Sequence, residues 1–175
     1  MAVDIFVIIT GQRQGQFKGQ SQDHAFQGKG AMEVLSFSSG FSNPRTIGSA
    51  GGGAGAGKPS ASEVSMTRAV DVVSTQLQQA LLTGELLTSV EFYFRKSGGV
   101  GPGPGQQPFM IFALTNAFIT AIQMNSESSS EGLVEEIQLV FEQSKLEIQN
   151  TDPRTGQVTA GGNTVAYDLT KATVI

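Results

Sequence analysis

Between Leu133 and Ile148 the apolar residues keep a period of two but change parity. Ile137, Leu139 and Phe141 fall on odd positions, whereas Leu146 and Ile148 fall on even ones. Side chains alternate across a strand, so a period of two marks one buried face. A parity change within one strand moves burial to the opposite face, and a bulge or bend is what does this. The stretch therefore predicts a bent strand, of the kind found in barrels and at sheet corners.

Strand patterns fill most of the remaining chain. Val3 to Thr10 is apolar and β-branched and stops at Gly11. In Ser89 to Arg95, Val90, Phe92 and Phe94 alternate with Glu91, Tyr93 and Arg95. Met32 to Phe41 puts Leu35 and Phe37 on one side, and Ser62 to Val70 puts Val64, Met66 and Val70 on one side. Phe109 to Met124 is apolar on both faces, and Pro108 and the aromatic spacing favour a long strand over a helix. Thr164 to Thr170, with Val165, Tyr167 and Leu169 on one face, reads as a closing strand. One helix is predicted: Asp71 or Ser74 can cap it, Leu77 and Leu81 fall four apart, Gln76 and Gln79 take the other face, and Gly84 stops it. About seven strands and one helix make a mainly β fold, a small antiparallel barrel or a sandwich.

Gly11 to Gly30 is rich in Gly and Gln, with Phe17 and Phe26 as its only large apolar groups, and reads as a long extended loop. Gly48 to Gly57 is a low-complexity linker, Gly98 to Gly105 a turn-rich connector, and Thr151 to Asn163 a late loop. The 175 residues suit one domain, 1–175, with a hydrophobic core. A content of 39% hydrophobic and 15% charged residues argues against disorder over most of the length. The net charge is -4 and the 11 Lys and Arg are scattered, so nucleic acid is a poor partner. The absence of cysteine removes disulfides, Cys-based zinc sites and Cys nucleophiles. The start lacks a basic n-region, so no cleaved signal peptide is expected, and no run approaches the roughly 20 apolar residues that span a bilayer.

Catalytic, cofactor and metal signals are weak. Gly52 to Lys58 matches G-x-x-x-x-G-K, but Pro59 follows where a phosphate loop needs Ser or Thr, and a strand follows where it needs a helix. His24 is the single histidine; its neighbours Asp23 and Ser21 make no triad, because triads assemble from distant segments. Glu135, Glu136, Glu142 and Glu147 share one strand, and alternation sends Glu136 and Glu142 to the same face, where a solvated outer surface is a plainer reading than a pair of acid-base carboxylates. No catalytic, cofactor-binding or metal-binding residue is assigned.

Several segments carry a family resemblance. Met1-Ala2-Val3-Asp4-Ile5-Phe6 opens as haemolysin-coregulated proteins (Hcp) do. Lys18-Gly19-Gln20-Ser21-Gln22-Asp23-His24 is similar to the family's Lys-Gly-Glu-Ser-x-Asp segment, with Gln20 in place of its Glu. Glu33 to Ser38, Gly51 to Gly55, Met66 to Asp71 and Phe94 to Gly99 resemble further family segments, in order, over nearly the whole chain. The resemblance implies a barrel with one flanking helix, six copies per ring, and rings stacked into the inner tube of a type VI secretion system. The partners it implies are further copies of the chain, the contractile sheath, spike and baseplate proteins, and small effectors held in the lumen. The subunit would be cytoplasmic during assembly and then secreted. By family analogy the loop bearing Gly19, Gln20, Ser21, Asp23 and His24 reaches a neighbouring subunit or ring, and Ser38 faces the lumen. The bottom-up counterpart is the apolar outer surface of Phe109 to Met124, which exceeds what one small core needs and suits a subunit interface. A monomeric small-molecule-binding barrel is the competing expectation, and a nucleotide-using enzyme built on Gly52 to Lys58 is the third.

Overall fold

The computed structural model describes residues 3–44, 57–97, 107–126, 132–152, 154 and 157–175. The linker around Gly48 to Gly55 and the connector Gly98 to Gly105 lie outside the described residues. Four long strands carry the fold: β1 (Val3–Gly11), β8 (Leu87–Lys96), β9 (Met110–Ser126) and β10 (Leu133–Thr151). They pair antiparallel in the order β1-β8-β9-β10. The second half of β10 pairs with β11 (Val158–Asp168), which pairs with β12 (Thr173–Val174). The first half of β10 pairs with β7 (Val64–Ala69). Short strands complete the set: β2 (Gly15–Gln16) and β3 (Met32–Val34) on β1, β4 (Ser36–Ser38) on β7, and a separate hairpin of β5 (Phe41–Ser42) and β6 (Ser60–Ala61).

The expected bend is present, and it involves more than one strand. Buried positions change parity between Leu87 and Val90 on β8, between Leu114 and Ala117 on β9, and between Leu139 and Ser144 on β10. Thr88, Asn116 and Glu142 lie in one cross-strand row, since Leu87, Ala117 and Phe141 flank it on one side and Ser89, Thr115 and Gln143 on the other. Each strand carries its extra residue at the same level, so the ladder keeps register across the crease. β1 answers with a register shift between Thr10 and Gly11. Asn116 adopts φ 54, the left-handed region that Asn tolerates better than most residues, and its side-chain amide donates to Glu142 over 2.5 Å.

Two strand readings need correction. Leu35 and Phe37 do not share a face: Leu35 is exposed and Phe37 packs on the core. The run Met32–Ser38 changes partner at Leu35, pairing with β1 before it and with β7 after it, while the Leu35 N–H donates to Thr67 O. The sheet is therefore not closed by hydrogen bonds into a full barrel; the covalent run through Leu35 bridges β1 and β7. The Thr164 to Thr170 strand does not close it either. β11 sits beyond β10 toward an edge of the sheet, and Val165 is half exposed.

α1 (Ser74–Thr83) fits its prediction at the C-terminus, where Gly84 takes φ 61 and the Gly84 and Glu85 N–H groups satisfy the Leu81 and Ala80 carbonyls. Its N-terminus differs: Val73 occupies the cap position, without a side-chain cap. Asp71 instead accepts the Val73 N–H, and the Ser74 hydroxyl is drawn inward to Glu135. Leu77 and Ala80 are buried and join Val7, Ile9, Met66, Phe92, Leu114 and Ile137 in the main core. Phe37, partly buried, packs against that core, 4.8, 5.0 and 5.7 Å from the rings of Phe92, Phe94 and Phe112.

The crease supplies a stability test. Asn116→Val places a β-branched residue at positive φ and removes the bond to Glu142, a strain of about 1–3 kcal/mol. Thermal unfolding should fall by about 2–4 °C per kcal/mol for a chain of this size. Asn116→Gly, which keeps the backbone free, should lose less; equal losses would show that the left-handed geometry is not what Asn116 supplies.

Candidate functional site

The long loop folds back on its own subunit. Residues 23–31 cover the outer face of β1 and β8, where Phe26 stacks on Phe6 at 4.3 Å and tilts against Tyr93 at 5.4 Å. Phe6, Phe26 and Ala31 form a second buried cluster, so the stretch read as a long extended loop packs against its own sheet. Phe17, the loop's other aromatic residue, is fully buried in the main core. Tyr93 donates to Glu91, and burial, followed by that carboxylate, pushes its hydroxyl pKa up.

The interface candidates divide by burial. Gln20 and His24 are exposed, whereas Gly19 and Asp23 are partly covered and Ser21 is buried. Gly19 has a reason to be glycine: its N–H donates to Gly30 O, and a Cβ there would fall 2.2 Å from Ala31 O. The Ser21 N–H donates to Ala31 O, which closes the base of the loop. Asp23 is clamped by both terminal nitrogens of Arg95, at 2.9 and 2.6 Å, and Arg95 also reaches Asp4 at 3.1 Å. The Arg95 guanidinium lies over the Phe6 ring at 5.1 Å. Its hydrogen bond to Asp23 holds that carboxyl below its ordinary value against the opposing effect of burial. Ser38 is exposed on β4, paired with Ser65, opposite the side on which Phe37 enters the core. The structure brings Gly19, Gln20, Ser21, Asp23 and His24 together on one loop and places Ser38 separately.

The four glutamates of β10 sit in different settings. Glu135 is fully buried and accepts from the Arg68 guanidinium at 2.5 Å and from Ser74 at 2.8 Å. Arg68, 2% exposed, also pairs with Asp71 at 2.6 Å. This cluster ties β7, β10 and the start of α1 together. Strand parity could have shown it: Arg68 falls between Met66 and Val70 on the inward positions of β7, and Glu135 is in phase with Ile137 and Leu139. Charge alone suggested solvent, and pairing reversed it. Glu136 accepts from Ser65, and Glu142 serves the crease.

A buried carboxylate also fixes the turn after β1. Glu85 accepts the backbone N–H groups of Arg13 and Gln14 and the Gln14 side-chain amide. Burial pushes its pKa up, but these donors outweigh burial and hold it below the ordinary value. Lys58, the end of the glycine-rich match, is exposed, and β6 rather than a helix follows it. Among the described residues, no group of three or more His, Asp and Glu side chains is arranged to hold a metal, and no helix is long and apolar enough to cross a membrane.

The described residues form a bent antiparallel sheet with one helix and a folded-back loop. The chain belongs to the Hcp family: the model of the type VI secretion system effector Hcp matches residues 6–148. It is accordingly a structural tube subunit of the type VI system, a secreted protein and not an enzyme. Solved structures agree on the fold. One, described as a type six secretion system protein, superposes with a TM-score of 0.83 at 20% identity, covering 99% of this chain and 100% of its own. Hcp1 from Salmonella typhimurium gives 0.72 at 21% identity, with 100% of both chains covered. A baseplate chain of the anti-feeding prophage gives 0.53 at 9% identity, covering 83% of this chain and 93% of its own. Comparison with curated proteins gives no match.

Two outcomes follow. Breaking the buried pair with Glu135→Ala should cost about 3–5 kcal/mol in urea unfolding, because Arg68 is left charged and enclosed; a loss below 1 kcal/mol would show that the pair is dispensable. The Asp23–Arg95 clamp contributes fully above the unfolded carboxylate value near 3.9 and is lost as pH falls through the lower folded value. Protection of the amides in residues 19–30, relative to the intrinsic exchange rate at each pH, should therefore be high at pH 6 and fall below about pH 4. Asp23→Asn should show the faster exchange already at neutral pH, and an unchanged rate would rule out the clamp.

Proposed function

We propose that the chain works as a ring-forming subunit: six copies close into an annulus, and annuli stack into the tube that sheath contraction expels. The matching of the Hcp family model over residues 6–148 carries this reading. The chain, read as one domain over 1–175, assembles in the cytoplasm and is then secreted. Its partners are its own copies, the sheath, spike and baseplate proteins, and small effectors in the lumen.

The loop carrying Gly19, Gln20, Ser21, Asp23 and His24 is proposed as a contact to a neighbouring subunit or ring. The exposure of Gln20 and His24 on a loop braced by Arg95 supports it, since a pre-ordered loop loses less entropy on binding. Ser38 is proposed to face the lumen; its exposure supports that placement. A ligand-binding barrel has little support here, because the aromatic side chains of Phe37, Phe92, Phe94 and Phe112 fill the interior that a ligand would need.

Light scattering on the purified chain should give six times the chain mass, with annular particles in negative stain. Single chains persisting at high concentration, without annuli, would overturn the proposal.

A further inference from the structure

Residues 22–29 lie over the outer face of β1 and β8 as a flap on a fixed base. Main-chain bonds close the base, Gly19 N–H to Gly30 O and Ser21 N–H to Ala31 O, and Ala31 and Met32 beyond it are buried. The flap's own main-chain bonds are internal: the Phe26 and Gln27 N–H groups donate to Asp23 O, and the Lys29 N–H donates to Phe26 O. It contributes no strand to the sheet beneath. Two side chains hold it down. Asp23 takes both terminal nitrogens of Arg95, and Phe26 packs against Phe6 and Tyr93. Gly28 and Gly30, at φ 77 and 69, form its return leg in a left-handed geometry that glycine adopts without strain.

We propose that this flap is a latch: neutralising the Asp23 carboxylate frees it to lift from the folded sheet and bare Phe6, Ile8 and Tyr93. The inference goes beyond the tube-subunit reading and does not depend on it. Release leaves the sheet side satisfied. Arg95 keeps Asp4 at 3.1 Å and its place over the Phe6 ring, so no charge is orphaned when Asp23 departs. The Arg68–Glu135 pair has no such freedom, since both partners belong to sheet strands and both are buried. The Asp23 side chain is 20% exposed, so protons reach it without prior unfolding of the sheet. The charged and titratable groups around it are Asp4 on β1, Glu33 on β3, Glu91 and Arg95 on β8, and His24 and Lys29 on the flap. Acid also discharges Asp4 and Glu33 and so relieves their repulsion of Asp23. The two charge-assisted bonds to Arg95 are at contact distance, and their loss outweighs that relief. Phe26 is then the flap's one remaining large anchor. A segment held by a single apolar contact opens at a free energy well below that of the whole fold. The stripe it bares is apolar surface that the closed chain conceals.

Tyrosine fluorescence reads the latch. The chain has two tyrosines and no tryptophan, so in a Tyr167→Phe parent the emission comes from Tyr93, beneath Phe26. Asp23→Asn removes the charge and keeps the side-chain oxygen that accepts the Ala25 N–H. At pH 7 this variant should let acrylamide quench Tyr93 more strongly than in the parent. Its amides in residues 25–29 should lose about tenfold or more in protection, the worth of a charge-assisted hydrogen bond, while those of β1 and β8 keep theirs. His24→Gln should behave as the parent. In the parent itself the same change should appear, reversibly and at constant mass in light scattering, as pH falls below about 4; this arm decides the matter if Asp23→Asn does not fold. Tyr93 that stays shielded in both arms, or β1 and β8 amides that lose protection along with the flap, overturns the latch. So does quenching that rises only when the mass changes, because it would report separating copies.

Discussion

A strand has two faces, and the row Thr88–Asn116–Glu142 exchanges them on three neighbouring strands at once. Had a single strand carried the extra residue, its pairing on both sides would have slipped by one position and turned apolar groups to solvent. With all three offset at one level, the hydrogen-bond ladder continues while the sheet turns. That is how strands of 17 and 19 residues can serve both as the wall of a compact core and as an extension beyond it. The left-handed Asn116 concentrates the turn in one residue, and its bond to Glu142 holds the row together.

Two charge clusters inside the protein tie hydrogen-bonded strands to the elements that flank them. Arg68 and Glu135 join β7 to β10 beside the point at which the helix begins, and Ser74 is shared between them. Arg95 performs the corresponding task on the outer side, fixing the loop through Asp23 and β1 through Asp4. A buried ion pair contributes little net stability compared with an apolar replacement, but a half-broken one is strongly unfavourable. Such pairs therefore penalise misregistered arrangements more than they strengthen the correct one. This matters for a sheet whose closure through Leu35 relies on the covalent chain instead of a continuous ladder.

Much of this was legible in the sequence, and the rest was hidden for identifiable reasons. The bend in β10 could be read because Phe141 and Leu146 break a strict alternation, but its extension to β8 and β9 could not. There the signals were Thr88 and Asn116, polar residues that read as ordinary surface positions. Leu35 was misassigned because alternation was carried through a residue where the strand changes partner. Phe26 gave no signal because an isolated aromatic residue in a Gly- and Gln-rich stretch has no periodicity; its partner Phe6 lies on the face of β1 opposite the buried Val7 and Ile9. Arg68 and Glu135 were legible by parity and obscured by charge. The family resemblance named the loop from Gly19 to His24, but that it folds back upon Phe6 and Arg95 belongs to the three-dimensional structure.

The folded-back loop and the uncovered extension place opposite demands on the same molecule. Phe6, an aromatic residue on the outer side of β1, is shielded by the loop, so that face is closed before any partner arrives. Ile148, Val165 and Val174 receive no such cover, although a strand at the sheet edge with apolar side chains invites unwanted pairing. The chain thus masks one apolar face and leaves another bare, which selection for solubility alone would not favour. Assembly from separate subunits gives the difference a physical reason. The masked face is removed from competition, whereas the bare face stays available to a partner.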